Sequence, residues 1–96
     1  MYFVMKSNLH DLKNLGNTSV NWLQAVGIHS YEDLHQIGAV EAYIKIKKRG
    51  FRVSKVLLYA IQGALLNVHW NDLEPGMKID LVHEAEDKLH QLEEVS

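Results

Sequence analysis

Two sets of side chains in this 96-residue sequence could do chemistry: six scattered histidines and one dense run of cations. A histidine pair with a carboxylate can hold a divalent ion. The last third of the chain offers His83, Glu86 or Asp87, and His90 on one helical face. These two histidines are separated by two helical turns, about 10.5 Å of rise, too far for one ion to take both. His10, His29, His35 and His69 follow no ligand spacing, and His69 beside Trp70 is expected to make a packing or hydrogen-bonding contact. Serines, histidines and acids are present, yet no nucleophile elbow, phosphate loop or paired-carboxylate motif places them. The expectation is a protein that is not an enzyme and uses neither cofactor nor metal. Cysteine is absent, which excludes disulfides and thiolate chemistry and fits a reducing compartment.

The cations are more informative. Lys45, Lys47, Lys48, Arg49, Arg52 and Lys55 account for six of the ten Lys and Arg residues, and no acid lies among residues 45–55. From Glu74 onward the balance reverses, with seven acids against Lys78 and Lys88. The formal charge of −2 therefore conceals a dipole along the chain. A basic patch suits phosphates or an acidic protein surface. Cations near a helix C-terminus are also favoured by the macrodipole, and an acidic last helix could fold back to pair with them. Lys45, Lys48, Arg49, Arg52 and Lys55 are the candidates for contacting a protein partner or DNA.

Helices must position these residues, because no alternating strand pattern of useful length occurs. The expected class is all-α, a compact bundle of roughly five or six short helices in one domain over residues 1–96. Its centre is expected to be Ser54–Trp70, whose apolar residues wrap most of the way round a helix, the mark of a buried one. Gln62 and Asn67 interrupt this run, and it is too short to span a bilayer. Gly63 weakens it by about 1 kcal/mol relative to alanine, which suggests close approach by another backbone. Met1 to Met5 is apolar but too short to assign, either a tethered start or the remnant of a link to an upstream domain. It is also too short for a secretory signal, so a cytoplasmic, non-membrane protein is expected.

Between these landmarks, Leu9, Leu12 and Leu15 predict a short helix capped by Ser7 or Asn8 and broken by Gly16. A second helix restarts at Asn17 or Thr18, with Val20, Leu23 and either Trp22 or Val26 inward. Gly27 is predicted to close it in the left-handed conformation, with Ile28 tucked beneath. Ser30 and Asp33 form a capping-box variant opening a helix that Gly38 ends. Ala39 to Arg49 follows, closed by Gly50, with Val40, Tyr43, Ile44 and Lys47 or Ile46 as its buried stripe. Phe51 and Val53 anchor the next loop, and Ser54 caps the central helix. Pro75 suits the first position of a last helix reaching about Glu94. Met77, Leu81, Ala85, Leu89 and Leu92 form its inner stripe.

Two segments together resemble a known family. The first comprises Leu12-Lys13-Asn14-Leu15-Gly16, Ser19, Leu23, Gly27-Ile28, Leu34 and Gly38-Ala39. The second comprises Leu57-Leu58-Tyr59-Ala60, Gly63-Ala64-Leu65, His69-Trp70 and Leu73. This pattern, across Leu9 to Leu89, is similar to the C-terminal domain of the TfoX/Sxy regulators of bacterial competence. The resemblance implies a helical fold of the sterile-alpha-motif or helix-hairpin-helix type. Family members carry an additional N-terminal domain, for which 96 residues leave no room, so a stand-alone version or a fragment is expected. Leu15, Gly16 and Gly27 would shape the hairpin. Asn14 stands where a DNA-gripping hairpin has its first glycine, and no Lys or Arg lies among Asn17, Thr18 and Ser19. The hairpin is therefore expected as a corner between packed helices. The resemblance implies an interaction module acting in transcription or competence regulation, through a transcription regulator or a second copy of itself as a homo-oligomer. The alternative is sequence-nonspecific DNA binding through residues 45–55.

Overall fold

The computed structural model describes residues 8–95, and side chains through residue 92. The apolar start at Met1–Met5 and the alternative cap Ser7 lie outside the described residues. Five α-helices are present: α1 (Asn17–Ala25), α2 (Tyr31–Ile37), α3 (Ala39–Arg49), α4 (Lys55–Leu66) and α5 (Pro75–Val95). Two 3-10 turns, Leu9–Asp11 and Trp70–Asp72, precede α1 and α5. No strand forms among the described residues; Asn8 and Ser30 make an isolated antiparallel bridge. The all-α class holds.

Local sequence explains most boundaries. Gly27, with φ +88°, ends α1; its N–H reaches the Gln24 carbonyl, and the N–H of Ile28 reaches that of Leu23. This is a Schellman closure, and it turns Ile28 into the core as expected. Ser30 Oγ accepts from the Asp33 N–H at 3.1 Å, while Asp33 Oδ2 accepts from the His29 N–H at 3.0 Å. The capping box is thus shifted by one residue at its return bond. Gly50 closes α3 at φ +107°, and Pro75 opens α5.

Two predicted helices are revised. Leu9 to Leu15 does not form a helix: a single 3-10 turn capped by Asn8 is followed by extended Leu12. Asn14 then turns with φ +71°. Leu9 and Leu15 still reach the core. The helix expected to reach Trp70 ends at Leu66, because Asn67 takes the left-handed conformation (φ +59°). The Val68 N–H bonds to the Gly63 carbonyl and the Asn67 N–H to that of Ala64, a second Schellman closure. Ser54 occupies the cap position of α4, but its side chain makes no capping bond.

The core is shared between α3 and α4. Helix α3 packs against α1, α2, α4 and α5, and α4 packs against α2, α3, α5 and the second 3-10 turn. Ile46, Leu58 and Ile61 are fully buried, and Ile46 rather than Lys47 completes the inner stripe of α3. Val56 and Leu66 of α4 remain exposed, so its apolar girdle is not fully covered. On α5, Leu81 and Ala85 are buried and Leu92 is exposed. Trp22 stacks on Phe51 at 5.4 Å, holding the α3–α4 loop against α1. No described helix is long and apolar enough to cross a membrane.

Candidate functional site

The corner before α1 is built around Asn14. Its side-chain Nδ2 donates to the Val68 carbonyl at 2.9 Å and, more weakly, to the Ala60 carbonyl at 3.4 Å. Its Oδ1 accepts from the Trp70 N–H at 3.1 Å. One amide therefore serves the chain reversal after α4 with both of its ends. The left-handed backbone at this position suits asparagine, which tolerates it better than most residues. The bonds explain Gly63 as well. A Cβ there would lie 2.5 Å from Asn14 Nδ2 and 2.7 Å from the Val68 carbonyl oxygen. The expected backbone approach to Gly63 is thus the chain leaving the end of α4, joined by an asparagine side chain, and not another helix. Gly16 is exposed, has φ −91°, and offers its carbonyl to the Val20 N–H. Leu15 is buried beside it. In this corner the amide that replaces the motif's first glycine is bonded to α4 and its exit.

Residues 45–55 fold so that their cations divide. Lys45, Lys48 and Arg49 lie on one side of α3 and, with Val26, line a shallow depression of about 260 Å³. Lys45 and Val26 also border an adjoining depression that includes Ile28, Gln36 and Ile37. Arg49 Nη1 donates to the Ala25 carbonyl at 2.6 Å, placing a cation at the negative end of α1. Lys55 sits elsewhere: with Lys47 it borders a crevice between α3, α4 and α5. Arg52 is exposed in the α3–α4 loop. Helical phase causes the division, since residues 45, 48 and 49 share a face that residue 47 does not.

Among the described residues the acidic last helix forms no ion pair with these cations. Asp80, Glu84, Glu86 and Asp87 are exposed, and the ion pair joining α5 to α3 has the opposite polarity, Lys88 Nζ to Glu41 Oε2 at 2.7 Å. That hydrogen bond and charge raise the Lys88 pKa. Among the described residues no carboxylate lies within ion-pair distance of Lys45, Lys48, Arg52 or Lys55.

The remaining polar candidates are occupied locally or dispersed. His69 Nδ1 accepts from the Asn71 N–H at 3.2 Å, and its ring stacks on Trp70. His35 stacks on Tyr31. No cluster of three or more His, Asp or Glu residues able to hold a metal occurs among the described residues. Sequence reasoning did not single out the Asn14 clasp. An asparagine two residues before a hairpin glycine was its only signal.

Comparison with known proteins agrees with this architecture. No curated protein matches the chain. A crystal structure of an uncharacterized protein from Listeria monocytogenes, in a triclinic form, superimposes with a TM-score of 0.79 at 30% identity, covering 84% of this chain and 92% of that one. A tetragonal-form structure of a Listeria monocytogenes protein of unknown function gives 0.78 at 30% identity, covering 83% and 98%. The family model of the TfoX C-terminal domain matches residues 5–85. The fold, the spacing of its corner residues and this match place the chain in the TfoX C-terminal domain family.

Proposed function

We propose that this domain is a non-catalytic protein-interaction module acting in transcription regulation, in the setting of bacterial competence that the family resemblance implies. Its contact surface is the face of Lys45, Lys48 and Arg49, and its partner presents acidic groups. One observation carries the reading: three exposed cations surround a depression with the apolar Val26 in its lining, and none of them is paired with a carboxylate among the described residues. Such a rim of charge beside apolar surface steers and orients a protein partner. The DNA alternative is less well supported, because residues 45–55 divide their cations between faces and Asn14 points its amide into the fold.

The test uses Lys45→Glu with Lys48→Glu, which are exposed and should leave the helical circular dichroism unchanged. Proteins retained from a bacterial lysate by the wild-type domain and lost by this variant are purified and their binding measured directly. A purified partner whose affinity falls at least tenfold in the variant supports the proposal. Tight binding of random duplex DNA at physiological salt, with a steep salt dependence, would replace it with the DNA reading.

A further inference from the structure

The crevice between α3, α4 and α5 has a different character from the Lys45 face. It holds about 190 Å³ and is bordered by Tyr43 and Lys47 of α3, Lys55 and Leu58 of α4, and Val82, Ala85, Glu86 and Leu89 of α5. Its apolar lining comes from both α4 and α5, and its polar groups number four. Tyr43 and Lys47 are one helical turn apart and so project the same way. Lys55 opens α4, where the backbone dipole adds positive potential.

From this arrangement we infer that the crevice is a binding site for a small organic monoanion, a carboxylate with a short aliphatic or monocyclic aromatic body. Charge selects the sign: two ammonium groups against the one carboxylate of Glu86 leave a single positive charge at the rim. The volume selects the size, since pockets for drug-sized ligands start near ~300 Å³. Leu58, Val82, Ala85 and Leu89 would cover the body, while Lys47 and Lys55 meet the carboxylate.

The hydroxyl of Tyr43 supplies the third polar contact. It has no hydrogen-bond partner among the described residues, yet it is not sealed from solvent. Burial, with the nearby charge of Glu86 as a second cause, raises its pKa, so the phenol stays neutral and remains a donor. The site shares no residue with the Lys45, Lys48 and Arg49 face, so it stands or falls separately from the proposed partner surface.

The experiment is a titration of the isotopically labelled full chain with hexanoate and with benzoate at low ionic strength, followed by amide chemical shifts. Saturable shifts are expected in the segments 43–47, 55–58 and 82–89, with a dissociation constant on the order of millimolar for so small a ligand. Hexanol and hexylammonium should produce none. Lys47→Met with Lys55→Met, both exposed, should weaken hexanoate binding about tenfold by removing charge-assisted bonds. Glu86→Gln should strengthen it several-fold by removing repulsion. A purely structural role for Glu86 would not reverse sign in this way. Shifts that never saturate, equal binding of hexanol, or unchanged affinity in both variants would each overturn the assignment.

Discussion

The Asn14 clasp allows a stability prediction with its terms separated. Asn14→Ala removes two well-formed side-chain bonds, 2.9 Å to the Val68 carbonyl and 3.1 Å from the Trp70 N–H. Each contributes about 1 kcal/mol net, and both partners are backbone groups that must then find water. Alanine must also hold the left-handed backbone at φ +71°, at a cost of roughly 1–2 kcal/mol. The total is on the order of 3–4 kcal/mol. For a domain of this size each kcal/mol moves the melting temperature by about 4–8 °C. Asn14→Gly loses the same bonds without the backbone penalty, so its loss should be smaller, about 2 kcal/mol. Urea melts of the three proteins, followed by circular dichroism, give the free energies directly. An Asn14→Gly variant as stable as wild type would show that the amide bonds contribute nothing. Equal midpoints for the glycine and alanine variants would refute the backbone term.

Gly63→Ala should lower stability by about 1–3 kcal/mol, because the new Cβ meets the Val68 carbonyl oxygen and Asn14; a raised urea midpoint would mean that helix propensity wins. Gly27→Ala and Gly50→Ala meet open space but keep positive φ, so each should cost roughly 1 kcal/mol in the same assay. Ser30→Ala should cost about 1 kcal/mol through loss of the cap on the Asp33 N–H. The raised pKa of Tyr43 means the folded chain keeps a proton that the unfolded chain releases above about pH 10. Stability should therefore fall as pH rises beyond that value, and Lys88, whose pKa is also raised, acts in the same direction. Urea midpoints between pH 8 and pH 11 should decline less steeply in Tyr43→Phe; identical slopes would contradict the assigned shift.

Where a boundary depends on a residue with one cheap conformation, the sequence is a good guide. Gly27, Gly38 and Gly50 mark helix ends because each holds a positive φ that side chains resist, and Pro75 marks a start because it lacks an N–H. Asparagine misleads. Asn67 reads as an ordinary polar residue within apolar periodicity, yet it takes left-handed backbone and stops a run that continues in pattern, while Asn14 takes the same conformation after extended Leu12 has already ended the first turn. The spacing of Leu9, Leu12 and Leu15 predicts a helix that extended Leu12 breaks, and the apolar run to Trp70 predicts a longer α4 than Asn67 allows. The candidate cations were plain from composition. Their division was not, because it depends on helical phase together with where α1 and α5 dock against α3.

The clasp also bears on the order of folding and on exchange with solvent. Asn14 lies 46 to 56 residues from the groups it bonds, so these bonds form only once the N-terminal corner and the end of α4 have come together. Contacts of such long sequence separation slow folding, because a large loop must close before they form. The Trp70 amide sits in a three-residue turn, where local fraying would ordinarily let it exchange quickly. Bonded to Asn14, its proton leaves only when the corner and the helix exit separate. Its hydrogen–deuterium exchange rate should then follow separation of the corner from the end of α4 rather than fraying of the turn that contains it.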